Sequence, residues 1–309
     1  MTNPEQRVSF GIKTTQMGLT YQDILATWRQ ADAIEVFEHA WLWDHMVPMR
    51  GDARVATLEA WTLLAALAAQ TSRLRLGVMV TSNRLRSPTL LAKMAATVDV
   101  VAAGRLDFGI GAGGSLPAAD SAAAQDPDAN PALREFEAYG VPLVPAGEAI
   151  RDLDQSLHII RRMWTETEPF DFDGPSIQLR GTVCEPKPVQ QPHPPILIGA
   201  QGDRALQVVA EHADIWNFPW PSIEEFQHRS RYLDQCCEAI SREPTEIVRS
   251  VQLIVRADDP TEPANSRALL GDLIDAGATH FVLAPVLGDR SLQWLADELI
   301  TPILAGSRI

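Results

Sequence analysis

Cysteine is scarce in this sequence, and its scarcity excludes two common uses of thiols. Only three cysteines occur among 309 residues, and two of them are the neighbours Cys236 and Cys237. This number and spacing provide neither a disulfide framework nor a CxxC redox pair. We therefore expect reduced cysteines in a cytoplasmic protein.

Positive charge and long apolar runs are also in short supply. Lys and Arg together number 26 against 40 Asp and Glu, which gives a formal net charge of -14. Nucleic acids and anionic membranes both require a basic surface, so we expect neither as a partner. No apolar run reaches the length of a membrane span, and the polar start Met1–Glu5 is not expected to act as a signal peptide.

Several catalytic signatures are missing as well. The sequence contains no HExxH pattern, no paired-cysteine metal pattern, no Walker loop and no GxSxG elbow. These signatures carry zinc ligands, phosphate-binding amides and an activated serine. Metallohydrolase and serine-hydrolase functions therefore have no support, and we predict no metal at the active site.

What the sequence does contain is a clear strand–helix–strand pattern. Leu74–Thr81 is an apolar run of strand length, as in strands buried on both faces. Ser87 and the proline after it suit the start of a helix, and Gly104 suits its end. A second strand, Arg105–Gly111, follows at once. Two strands joined by one crossover helix run parallel, so both end at the same edge of the sheet.

The same alternation continues along the chain. The predicted strands are Val8–Lys13, Ala40–Trp43, Leu74–Thr81, Arg105–Gly111, Ile196–Gly199, Asp214–Phe218, Ile247–Val255 and His280–Ala284. Eight strands alternating with eight helices predict an α/β fold, a closed (β/α)8 TIM barrel, as a single domain over residues 1–309. A doubly wound sheet, the alternative, needs only five or six strands. Two segments read as insertions: 115–146 after the fourth strand, and 165–194, with a small hairpin, before the fifth.

Barrel enzymes place their sites at the carboxyl ends of the strands, and one of the seven histidines meets that condition. His39, His212 and His280 precede predicted strands and are expected at the opposite face. His45, beside Asp44, follows a strand on the catalytic face. Because histidine can give or take a proton near neutral pH, His45 is our candidate catalytic residue, with a structural role as the alternative.

Two glycine-rich segments also follow predicted strands. Gly109–Gly114 matches GxGxxG, but no helix follows it, so the dinucleotide interpretation fails. Its bare backbone would let a flat or anionic ligand approach closely; the alternative is a tight turn without a ligand. Gly199–Arg204 joins a strand to a helix N-terminus that could bind phosphate. Arg84 and Arg86, near the expected mouth, suggest an anionic tail on the ligand.

Motifs along nearly the whole chain resemble the bacterial luciferase-like superfamily. In order, the matching segments are Phe10–Lys13, Trp43–His45, Leu58–Trp61, Arg75–Val80, Gly104–Gly113, Tyr139–Pro142, Pro186–Gln190, Pro194–Gly199 and Ala213–Asn217. The most similar subgroup uses the deazaflavin coenzyme F420 rather than FMN. The resemblance implies a barrel with the coenzyme at the carboxyl mouth, a small organic substrate and a homodimer.

The resemblance also assigns residues to the coenzyme. The implied cofactor-binding set is Asp44, Met79, Val80, Ala112, Gly113, Gly114, Gly199, Ala200, Gln201 and Gly202. Met79–Val80 would be a non-proline cis peptide behind the ring, and Gly199–Gly202 would hold the phosphate. His45 would lie against the ring and help a proton move as hydride passes.

Two departures from the family pattern bear on the substrate. Gly114–Pro117 stands where relatives usually place a bulky aromatic and acidic residues. The tryptophan that sugar-phosphate dehydrogenases of the family carry shortly after Asp-His is absent, and Met49 lies near its place. Glucose-6-phosphate is therefore disfavoured, and a wider mouth predicts a larger or apolar substrate.

Three hypotheses for the function follow from the resemblance. The leading one is an F420-dependent oxidoreductase that moves a hydride between the deazaflavin and an organic substrate. The alternative is a two-component FMN-dependent monooxygenase that uses O2. The third is a barrel that binds a cofactor without catalysing a reaction.

Overall fold

Parallel strands closed into a ring form the centre of the fold, in a computed structural model that describes residues 7–116, 131–257 and 262–306. In chain order the strands are β1 (Ser9–Lys13), β2 (Phe37–Leu42), β3 (Arg75–Val78), β4 (Thr81–Ser82), β5 (Leu106–Gly111), β6 (Phe170–Asp173), β7 (Gln178–Thr182), β8 (Ile196–Gly199), β9 (Ile215–Pro219), β10 (Val248–Arg256) and β11 (His280–Val286). Strand β4 continues β3, and β6 and β7 form a separate antiparallel hairpin. The eight remaining strands pair in parallel in the order β3-β2-β1-β11-β10-β9-β8-β5, and pairing of β3 with β5 closes the ring. The predicted (β/α)8 barrel is confirmed.

Helices surround the ring of strands. They are α1 (Tyr21–Ala33), α2 (Ala60–Ala68), α3 (Pro88–Val101), α4 (Pro131–Ala138), α5 (Ala146–Thr165), α6 (Asp203–His212), α7 (Ile223–Ala239), α8 (Glu262–Asp275), α9 (Leu292–Leu295) and α10 (Thr301–Gly306), with a π-helical turn, Ala296–Ile300, between the last two. Side-chain caps begin several of them, as at Ser87, whose hydroxyl accepts a hydrogen bond from the amide of Leu90. Within the described ranges, no helix combines the length and apolar character needed to cross a membrane.

Most predicted bounds agree with the structure to within a residue or two, and the exceptions have local causes. Strand β2 begins at Phe37 rather than Ala40, and both Phe37 and His39 are buried in it. The polar residues at positions 38 and 39 did not suggest a buried strand. The segment 115–146 contains helix α4, which was not predicted. Residues 117–130 of that insertion lie outside the described residues. The predicted hairpin within 165–194 is present as β6 and β7.

A pair of stacked histidines fills the barrel interior near the start of the strands. His39 was predicted to precede a strand, but it lies within β2. Its ring lies inside strand β2 and stacks on His280, with 3.9 Å between ring centroids. Trp41 Nε1 donates a hydrogen bond of 2.7 Å to His39 Nδ1. A Cβ on Gly11 would lie 1.9 Å from the same nitrogen, so glycine makes the space for the ring. Burial lowers the pKa of His280 to about 3 and the pKa of His39 well below its usual value, so the pair packs as neutral aromatic rings.

Candidate active site

At the carboxyl ends of the strands the barrel opens into a cavity of about 480 Å³, a size typical of small-molecule sites. Predicted site residues that line it are Asp44, His45, Met79, Val80, Ala112, Gly113, Gly114, Gly199, Ala200 and Gln201. Gly202 is not among the lining residues; it is exposed and forms the N-cap of α6. The structure thus brings together residues from four separate stretches of sequence around one space.

Asp44 supports one wall of this cavity through three hydrogen bonds. Its buried carboxylate accepts a bond of 2.8 Å from the backbone amide of Ser82 and two more, 2.8 and 2.9 Å, from the guanidinium of Arg86. A carboxylate offers about four lone-pair positions, and three are already used. Asp44 therefore fixes the loop after the third barrel strand and keeps little capacity for a ligand.

The two arginines near the mouth each pair with at least one carboxylate of the protein. Arg86 pairs with Asp44 and Glu59, and Arg84 pairs with Asp152 at 2.6 Å and donates to a backbone carbonyl. Both guanidinium groups are largely buried in these contacts. The interpretation that they meet an anionic tail stays a prediction, and in this structure carboxylates of the protein already pair with both cations.

The peptide bond between Met79 and Val80 is cis, as the resemblance predicted. Val80 packs against bare backbone on two neighbouring strands. A Cβ on Gly111 would lie 2.9 Å from one methyl group of Val80, and a Cβ on Gly199 would lie 3.0 Å from the other. Glycine at both positions lets the segment Met79–Val80, called the Val80 bulge below, rest directly on the backbones of β5 and β8.

The segment after β5 offers bare backbone to the cavity, and two other strand ends contribute unpaired polar atoms. Gly113 has a φ of 82°, and a Cβ there would lie 2.5 Å from Ser82 Oγ. Within the part of the chain that the structure describes, Ser82 Oγ and Trp43 Nε1 are buried without a hydrogen-bond partner. Both residues line the cavity. Since buried polar atoms almost always have a partner, these two fit a flat, polar ligand such as a flavin or deazaflavin.

His45 is coupled to a buried glutamate that the sequence analysis missed. Its Nδ1 lies 3.2 Å from Glu135 Oε2, and the second oxygen of Glu135 accepts a bond from the amide of Met46. The Glu135 side chain is 4% exposed, whereas His45 is 30% exposed and lines the cavity. A carboxylate on one ring nitrogen fixes the tautomer and orientation of the ring, which leaves Nε2 for proton exchange. Glu135 lies on α4, the helix that was not predicted, and is 90 positions after His45 in the sequence.

Lys13 is a second group that can carry a proton, and it was noted in the sequence only as part of a motif. It ends β1 and lines the cavity. Its ammonium donates a 2.9 Å bond to Gln252 Oε1 and lies 5.2 Å above the Trp43 ring. Among the described residues no carboxylate forms an ion pair with it. Burial lowers the pKa of Lys13 from 10.5 to about 7, so both protonation states are accessible near neutral pH.

The outer part of the cavity is apolar. Trp220 follows β9 with a left-handed φ of 48° and is 54% exposed at the rim. Met49, Phe136 and Pro219 line the same cavity. Together with Trp220 they form a contiguous apolar surface, and such surfaces often mark ligand-binding sites, so this rim is suited to an apolar ligand.

Comparison with known proteins identifies a matching family and several proteins of similar structure. Residues 7–286 match the profile of a family described as luciferase-like monooxygenase. A phthiodiolone/phenolphthiodiolone dimycocerosates ketoreductase of Mycobacterium sp. (strain JLS) is 29% identical over 225 residues, or 69% of this chain and 53% of that protein. The chain thus spans about half the length of this curated relative.

Two solved structures are similar over nearly their whole length. An F420-dependent secondary alcohol dehydrogenase in complex with an F420-acetone adduct aligns with a TM-score of 0.79 at 14% identity and covers 96% of this chain and 99% of its own. The monooxygenase RslO1 from Streptomyces bottropensis aligns with a TM-score of 0.73 at 20% identity and covers 94% and 98%. At these identities the likeness establishes the barrel fold and leaves the coenzyme to be decided by experiment.

Proposed function

Because the chain belongs to the luciferase-like monooxygenase family of oxidoreductases, we propose that it is an F420-dependent oxidoreductase. In this proposal a hydride moves between the deazaflavin and a carbonyl or alcohol group of an apolar substrate. The observation that carries the proposal is the cavity that combines His45 with Glu135, Lys13, and a bare-backbone wall. A ketoreductase among the relatives and an F420-dependent alcohol dehydrogenase among the similar structures support it.

The wall around the Val80 bulge is the part of the cavity that would hold the coenzyme. Ala112 to Gly114 offer backbone close to the bulge, and Ser82 Oγ is a polar atom without a partner there. The N-terminus of α6, after Gly199–Gly202, has free amides of the kind that bind phosphate. When bound, F420 supplies a carbon that accepts or donates hydride.

The proton in this chemistry would be handled by the side chains of the chain itself. When a carbonyl carbon accepts hydride, its oxygen needs one proton to become an alcohol. His45, oriented by Glu135, can deliver that proton from one side of the cavity. Lys13, whose pKa lies at about 7, can stabilise or protonate an oxygen near Gln252. Polar groups concentrated inside an apolar rim favour a substrate with one oxygen function on an apolar body.

The FMN-dependent monooxygenase remains the second candidate. The observation that favours it is the likeness to the monooxygenase RslO1. A reduced flavin that activates O2 requires oxygen as a co-substrate and yields an oxygenated product. Hydride transfer to a carbonyl requires no oxygen, so the two candidates differ in one controllable reactant.

Anaerobic turnover separates the two proposals. The purified protein is mixed with chemically reduced F420 and an aliphatic ketone, and reoxidation of the coenzyme is followed by its absorbance. We expect ketone-dependent oxidation and formation of the corresponding alcohol without oxygen. If reduced F420 is inert with every ketone tested, while reduced FMN and O2 give an oxygenated product, the monooxygenase is the correct assignment. Reactions without ketone are the control.

A further inference from the structure

A second group of titratable side chains lies where α5 packs beside α6. Asp154 and His158 are one turn apart on α5, and Glu211 and His212 are the last two residues of α6. One ligand atom from each of the four lies within 4.8 Å of every other. None of the four lines the cavity that contains His45, so the cluster is separate from the proposed active site.

The spacing of these atoms matches a tetrahedral metal site. Zinc binds nitrogen and oxygen ligands at about 2.0–2.1 Å, which places the ligand atoms of a tetrahedron about 3.3–3.4 Å apart. The Nε2 of His212 lies 2.9 Å from Asp154 Oδ1 and 3.9 Å from Glu211 Oε1. The Nε2 of His158 lies 3.4 Å from the same Glu211 oxygen and 3.9 Å from the same Asp154 oxygen. Four of the six edges are therefore within about 0.6 Å of the required length.

The surroundings of His212 also bear on metal binding. Its side chain is 1% exposed, and its Nε2 faces the oxygen of Asp154. Its Nδ1 is buried and has no hydrogen-bond partner among the described residues. When Nε2 binds an ion, the ring proton must lie on Nδ1, and coordination replaces the hydrogen bond between Nε2 and Asp154. Without a second-shell acceptor on that nitrogen, we expect weaker binding than at structural zinc centres.

We propose that these four side chains bind one divalent transition-metal ion, with zinc preferred, and that the ion joins α5 to α6. Two imidazoles with two carboxylates suit zinc, whereas magnesium and calcium take mainly oxygen ligands. His158 and Glu211 are about half exposed, so an ion can enter directly from solvent. Because the protein supplies all four ligands, the site would stabilise the fold rather than activate water. The motif search of the sequence could not find it, because the ligands come from two helices.

Zinc titration of the full chain tests this proposal. Chelator-treated protein is titrated with Zn²⁺ by calorimetry, and thermal unfolding is measured with Zn²⁺, with Mg²⁺ and with EDTA. We expect one zinc per chain at this site and a rise in Tm of about 2 °C or more at saturation, with no rise in Mg²⁺. In His158→Gln, the affinity should fall at least about tenfold.

The matched control is His228→Gln, which removes an exposed histidine on α7, outside the cluster. It should bind zinc as the wild type does. Melts in EDTA show that each variant folds before the comparison is made. The proposal is overturned if His158→Gln binds zinc with the same affinity and stoichiometry as His228→Gln, or if zinc leaves the Tm of the wild type unchanged.

Discussion

Replacing Lys13 with methionine should change how the stability of the protein depends on pH. The ammonium of Lys13 is held in the cavity by one hydrogen bond to Gln252 and by the Trp43 ring, and burial lowers its pKa from 10.5 to about 7. Methionine has nearly the same length and carries no charge. Lys13→Met therefore removes a titrating group without opening a large hole.

Whether the free energy of unfolding rises or falls with pH depends on which state, folded or unfolded, binds more protons. Below pH 7 Lys13 is protonated in both the folded and the unfolded chain, so the full cost of burying its charge is present. Between pH 7 and 10.5 the unfolded chain binds the proton and the folded chain does not, so the contribution of Lys13 makes the protein more stable as the pH rises. With these values the free energy of unfolding gains about 2–3 kcal/mol between pH 6 and pH 9.

The assay is thermal unfolding of wild type and Lys13→Met at pH 6 and pH 9. Relative to wild type, the variant should have its largest advantage at pH 6 and lose about 5 °C of that advantage by pH 9. Lys93→Met, on the outer helix α3, is the matched control, because it separates loss of the cavity ammonium from loss of any lysine. A wild-type-to-variant difference in Tm that is the same at both pH values would refute the low pKa of Lys13.

Three further predictions concern the cavity wall. His45→Ala should slow turnover about 100-fold or more and leave coenzyme binding within a few-fold of wild type; equal turnover would return His45 to a structural role. Glu135→Gln should slow turnover less, and its pH–rate profile should shift because the carboxylate no longer orients the ring; an unshifted profile would contradict this positioning role. Gly113→Ala should destabilise the protein by about 1–2 kcal/mol in denaturant titrations, because φ is 82° and the new Cβ meets Ser82; an unchanged midpoint would show that the loop adjusts.

The barrel itself could be predicted because its determinants are local. Apolar runs of strand length, helix caps such as Ser87 and Ser222, and short connections repeat along the chain. Strand β8 agrees with its predicted bounds. Strand β2 begins early because Gly11, on the neighbouring strand, makes room for His39. That relation depends on the register between strands, which no single segment of sequence contains.

The candidate site was predictable where residues end strands and not where distant segments meet. His45 and the glycines after β5 were found because barrel sites lie at the carboxyl ends of strands. Glu135 lies on a helix inside the segment 115–146, which the sequence predicted only as an insertion, and a charged stretch after Pro131 was a sign of this helix. The ion pairs of Arg84 and Arg86 depend on side-chain packing, which composition cannot show. Their positive charges suggested an anionic ligand, whereas in the structure carboxylates of the protein pair with both arginines.

The central claim is that the cavity at the mouth of the barrel binds a deazaflavin, and parallel titrations of the purified chain with F420 and with FMN test it most directly. Quenching or shift of the coenzyme fluorescence gives both dissociation constants under the same conditions. Gly113→Ala is the control for binding at the bare-backbone wall, and it should weaken binding of whichever coenzyme occupies the site. We expect saturable F420 binding that is tighter than FMN binding and weakened by this substitution. Tight FMN binding with no measurable affinity for F420 would contradict it.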